Sequence, residues 1–81
     1  MKSKSRLPID SVQDYREKIG KSIRSFREDK GLSQDELAEI MEVHRSTISK
    51  VETGKFAITI DYLVKFAWYL DFEIVLTEKE K

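Results

Sequence analysis

The sequence predicts an all-α fold: a four-helix domain with a single β-strand at its C-terminal end. Three observations carry this reading. Apolar residues recur at steps of three and four in successive stretches, the spacing of one helix face. Ser33 with Glu36, and later Gly54, bracket a central pair of short helices with a start signal and a stop signal. The tail changes period, with Phe72, Ile74 and Leu76 alternating onto one side.

Eighty-one residues make one small domain whose core is marginal without help from partners. Cysteine is absent and His44 is the only histidine, so disulfides and a thiolate or histidine metal centre are not expected, and no cofactor is. Catalysis is not expected either: there is no nucleotide loop and no nucleophile paired with a base. No apolar run reaches the ~18 residues that span a bilayer, and the N-terminus has no signal-peptide core, so the expectation is a cytoplasmic protein with no membrane partner. Net charge is zero, but residues 1–30 are basic and residues 56–81 acidic.

Residues 1–10 read as a flexible basic arm, closed by Pro8 and Asp10. The arm is either a solvated tail or a segment that lies on a polyanion. Residues 11–71 form the domain. Asp10 or Ser11 caps the first helix, in which Val12, Tyr15, Ile19, Ile23 and Phe26 make an apolar stripe running to about Asp29. Gly20 weakens that helix, and its small size suits close approach of another helix. Gly31 ends it and Leu32 turns back to the core.

Ser33 and Glu36 form a capping box for the second helix, which buries Leu37, Ala38 and Met41. Its acidic run, Asp35, Glu36, Glu39 and Glu42, reads as a solvated face. The third helix packs through Val43, Thr47, Ile48 and Val51, with Gly54 just past its end. Arg45, Ser46, Ser49 and Lys50 then point elsewhere, and none of them is acidic. A helix that packs on one side and offers donors on the other suits a DNA major groove.

Thr59 caps a fourth helix, Ile60 to Leu70, that is apolar nearly all round. Ile60, Leu63, Val64, Ala67 and Leu70 are expected to pack on the other helices. Tyr62, Phe66 and Tyr69 form a second face left for a partner. Residues 72–77 supply the strand, and residues 78–81 a frayed tail. A lone strand needs a partner backbone, and the economical partner is the same strand of a second copy across a two-fold axis. Tyr62, Phe66, Tyr69, Phe72, Ile74, Val75 and Leu76 are therefore the expected homodimer interface.

Gly31-Leu32-Ser33-Gln34, Leu37-Ala38, Ser46-Thr47-Ile48-Ser49 and Glu52, Gly54, Lys55 together resemble the helix-turn-helix of the lambda-repressor-like (Xre) family of DNA-binding proteins. The resemblance covers roughly Ile19 to Leu70. It implies a homodimeric repressor on a near-palindromic operator, with Arg45, Ser46, Ser49 and Lys50 reading base edges of double-stranded DNA. Gln34, His44, Thr47, Thr53 and Lys55 are the implied phosphate contacts. Arg27 and Glu52 match a structural ion pair of the family and are not readout residues. His44 stands where the family usually has a Ser or Thr cap. A fourth helix running into a strand is similar to HipB-type antitoxins, which implies a kinase toxin as a further partner. The competing reading is a protein-interaction module whose helix-turn-helix no longer binds DNA, supported by the zero net charge and the acidic second helix.

Overall fold

The computed structural model describes residues 6–79. The chain order is α1 (Ser11–Asp29), α2 (Gln34–Met41), α3 (Arg45–Glu52) and α4 (Ile60–Leu70). Residues 1–5 of the basic arm, with its Lys2 and Lys4, and Glu80 and Lys81 of the frayed tail lie outside the described residues.

Each helix begins and ends where its local chemistry allows. Asp10 is the residue before α1, though its side chain makes no capping bond. Past the end of α1, Gly31 takes φ +70° and the Leu32 amide donates back to the Arg27 carbonyl at 3.2 Å. That reversal is what tucks Leu32 against the core. The capping box of α2 is complete: the Glu36 amide donates to Ser33 Oγ at 3.0 Å and the Ser33 amide to Glu36 Oε1 at 2.9 Å. Glu42 closes α2 in the left-handed region at φ 57°, and the Val43 amide reaches the Ala38 carbonyl at 2.9 Å. This one-residue reversal makes the turn between α2 and α3 tight. Thr59 caps α4 by accepting from the Tyr62 amide at 3.1 Å.

The core is Ile23, Leu37, Ala38, Met41, Ile48, Val51, Phe66 and Leu70, one or more from every helix. At Gly20, α1 crosses α3 so closely that an added Cβ would stand 2.7 Å from the Glu52 carbonyl oxygen and would also meet that of Val51. The glycine is a contact point, which outweighs its cost in helix propensity.

Two expectations about the C-terminal part are corrected. The first concerns which side of α4 is inside. Phe66 is fully buried in the chain's own core and is no part of a spare face. Tyr62 lies half-buried between Phe56 and Phe66, with ring centroids 5.5 Å and 5.6 Å away. Ile60 and Val64, expected to pack inward, are 63% and 52% exposed, and Trp68 is 78% exposed. The packed stripe therefore runs through Phe66 and Leu70, and the unpartnered one through Ile60, Val64 and Trp68. With both stripes apolar, periodicity could not rank them; the wholly apolar Phe66 ring filled the core, while the larger Trp68 stayed outside.

The second correction is the strand. Among the described residues there is no β-strand, and Phe72–Thr77 runs on without ladder hydrogen bonds. A strand needs a neighbouring backbone, and the single chain offers none there. What anchors the start of the tail is Phe72, stacked on Phe26 at 4.8 Å, together with an Asp71–Lys30 ion pair at 2.9 Å. Ile74 is 39%, Val75 66% and Leu76 96% exposed.

Candidate nucleic-acid interface

The helix that would enter a groove is held from behind by apolar packing and from its end by charge. Ile48 and Val51 are buried against α1 and α2. At the foot of α3, the Arg27 guanidinium donates to Glu52 through both edges of the fork, Nε to Oε2 at 2.6 Å and Nη2 to Oε1 at 3.0 Å. Its Nη1 donates to the Leu32 carbonyl at 2.7 Å, so one buried arginine ties α1, the α1–α2 turn and α3 together. Hydrogen bonding to Glu52 raises the Arg27 pKa further above its already high value, against the opposing effect of burial. The pair is buried and fully satisfied, as a structural ion pair must be.

Gln34 joins this network. Its Nε2 donates to Glu52 Oε1 at 3.0 Å, and the residue is half-buried at the first position of α2. The amide's second hydrogen and the first backbone amides of α2 are donors of the kind that suits an anion. Glu36, beside it, is pulled below the ordinary carboxylate range by the hydrogen bonds it exchanges with Ser33.

On the outer side of α3, Arg45, Ser46 and Lys50 are exposed, while Thr47 and Ser49 are half-buried. His44 is the N-cap residue in extended conformation, with no side-chain capping bond. Thr53 turns its hydroxyl inward, donating to the Ser49 carbonyl at 2.8 Å, and so closes the last turn of α3. Gly54 follows at φ +76°, and the Lys55 amide donates to the Lys50 carbonyl at 2.8 Å, which leaves the Lys55 side chain exposed at the edge of the same surface. These residues thus lie along α3 and its two ends, while Gln34 stands apart from them at the start of α2.

Two contacts at this surface were not read from the sequence. Asp35, taken there as part of a solvated acidic face, is exposed but lies 3.3 Å from Arg45 Nε across the α2–α3 turn. Gln13 of α1 donates to the Gly54 carbonyl at 2.9 Å and braces the loop that carries Lys55. Their only signal was composition, since side-chain reach between helices depends on the crossing angle. Among the described residues there is no group of His, Cys, Asp or Glu able to hold a metal ion, and no helix long and apolar enough to cross a membrane.

The helix-turn-helix family model matches residues 23–75. Control protein C.SmaI of Serratia marcescens is 34% identical over 61 residues, which cover 75% of this chain and 73% of that protein. An uncharacterized HTH-type transcriptional regulator of Rickettsia conorii is 38% identical over 65 residues, 80% of this chain but only 52% of the relative. Among solved structures, the restriction-modification controller protein C.AhdI from Aeromonas hydrophila superposes with a TM-score of 0.69 at 35% identity, covering 74% of this chain and 91% of that one.

Proposed function

Because the chain belongs to the helix-turn-helix family, we propose that it is a sequence-specific DNA-binding transcriptional repressor that acts as a homodimer on a near-palindromic operator. The observation that carries the reading is α3 itself: its inner side is locked into the core, while Arg45, Ser46, Ser49 and Lys50 lie on the side left accessible. Arginine and lysine read guanine O6 and N7 best, and serine is permissive. Gln34, His44, Thr47 and Lys55 flank them and hold the backbone, which positions the protein without specifying sequence, whereas the Thr53 hydroxyl is already donated to the Ser49 carbonyl.

The similarity to a control protein and to a restriction-modification controller protein supports a controlling role of this kind. The HipB-type reading, with a toxin partner, leaned on a C-terminal strand that is absent among the described residues. It has no other support, and we set it second. A dimer is favoured by a different feature: the exposed stripe Ile60, Val64 and Trp68 on α4, whose Ile60 shares a groove with the exposed Val75 and Leu76 of the tail. An apolar patch of that length on a small chain calls for a partner, and a two-fold axis is the simplest way to supply one.

The test is a mobility-shift titration of wild-type protein and two variants over a salt series, on duplexes selected from a random pool. Arg45→Ala is expected to cost about 1–3 kcal/mol on the selected site and to relax preference at one base position. Lys55→Ala is expected to weaken all sequences alike and to lower the salt slope by about one. Binding that is absent, or indifferent to salt, refutes the reading in favour of a protein-interaction module.

A further inference from the structure

The start of α2 reaches α3 at both of its ends. Gln34 donates to Glu52, the last residue of α3, at 3.0 Å. Its neighbour Asp35 lies 3.3 Å from the Nε of Arg45, the first residue of α3. The two contacts differ in kind. The Gln34 contact belongs to a buried network, whereas Asp35 and Arg45 keep 77% and 64% of their side chains exposed. An exposed ion pair of this sort contributes little to stability, so its significance lies in where it sits. Asp35 is at the edge of the surface that takes the DNA backbone, where a carboxylate facing phosphates is unfavourable unless a cation neutralises it.

We propose that Asp35 is a specificity-determining residue that positions Arg45 for base readout. Its carboxylate stands on the Nε side of the guanidinium, an ion-pair contact rather than a hydrogen bond, and the Nη1–Nη2 edge makes no hydrogen bond among the described residues. That free edge is the one that meets guanine O6 and N7 with two parallel hydrogen bonds. The aspartate acts in both binding modes. On the correct site, Arg45 is pinned between Asp35 and guanine, and the carboxylate is compensated as water leaves. On the wrong base, the fork finds no acceptor pair, swings away toward a phosphate, and leaves Asp35 uncompensated beside the backbone. Asp35 thereby penalises non-specific binding as well as orienting the specific contact. None of the other groups of the acidic run is within ion-pair distance of Arg45 among the described residues. Glu36 is occupied by Ser33.

The proposal rests on Arg45 being a base-reading residue, and the experiment separates the two claims. Full-length wild type, Asp35→Asn, Arg45→Ala and the double variant are each used to select sites from a random duplex pool, and affinities are then measured on the wild-type site, on its single-base variants and on an unrelated duplex. Both residues are exposed, so all four proteins are expected to fold, which circular dichroism checks. Asp35→Asn should bind the unrelated duplex more tightly than wild type, yet lose about tenfold in discrimination at the base pair that Arg45→Ala also loses. In the Arg45→Ala background, Asp35→Asn should leave base preference unchanged. If Arg45→Ala loses discrimination while Asp35→Asn keeps the wild-type preference and merely binds every duplex more tightly, Asp35 is a bystander charge and the inference is overturned. If Arg45→Ala itself retains full discrimination, the readout assignment fails and the inference fails with it.

Discussion

At the scale of single residues, the Arg27–Glu52 pair shows how much one buried contact decides. Both side chains are nearly inaccessible, and their mutual hydrogen bonds leave neither charge unmatched. Truncating either one strands the other, at a cost of about 3–5 kcal/mol. Arg27→Ala and Glu52→Ala should each lower the urea midpoint, and the double variant should lose less than their sum. Strict additivity would show that the two do not interact. The identities in this pair were legible in the sequence through family resemblance. The participation of Gln34 was not, because nothing in the spacing of residues 34 and 52 says that two helices will cross there. The same holds for Asp35 and Arg45, which the sequence assigned to opposite roles and the α2–α3 turn brings together.

At the scale of elements, local chemistry and tertiary packing divide the work. The capping box of α2 is local, and Ser33 with Glu36 announces it. Its electrostatics make a pH prediction. Glu36 has a folded pKa below its ordinary value, so its stabilising contribution is present above the ordinary carboxylate pKa and is lost as pH falls through and below it. The difference in melting temperature between wild type and Glu36→Ala should be largest at neutral pH and shrink as pH falls below the ordinary carboxylate range. A difference that is constant with pH would mean that the carboxylate charge plays no part. Helix α4 is the opposite case. Thr59 fixes where it starts, but its rotation is set by what fits the core, and Phe66 rather than Ile60 or Val64 fills it.

At the scale of the whole molecule, the unsatisfied surface points to assembly. A second copy covering Ile60, Val64 and Trp68 would remove the largest exposed apolar stripe of α4, and half-sites one helical turn apart would require such a dimer to hold its two α3 helices about 34 Å apart. Val64→Glu, a charge within that stripe, is expected to give monomer by analytical ultracentrifugation at micromolar concentration. Operator affinity should then fall far more than affinity for unrelated DNA, since only the specific mode needs both half-sites at once. Truncation after Asp71 asks separately whether paired tails contribute. A Val64→Glu protein that still sediments as a dimer and holds its operator would defeat the α4 interface.

What the sequence determined by itself is whatever depends on neighbours in the chain. The α2 cap at Ser33, the reversals at Gly31 and Gly54 and the apolar face of α3 through Ile48 and Val51 all follow from residues within a few positions of one another. The donors on the outer side of α3 follow as well, because a helix that buries one stripe must expose the other. Only the tertiary structure decided which face of α4 is core, that Gly20 is the contact point of α1 with α3, and that Asp35 stands against Arg45. It also decided that residues 72–77, alternating as a strand should, form none in the single chain. The reason is common to all of these. Crossing angles and ladders are properties of two segments at once, and a periodicity read along one segment carries no information about the other.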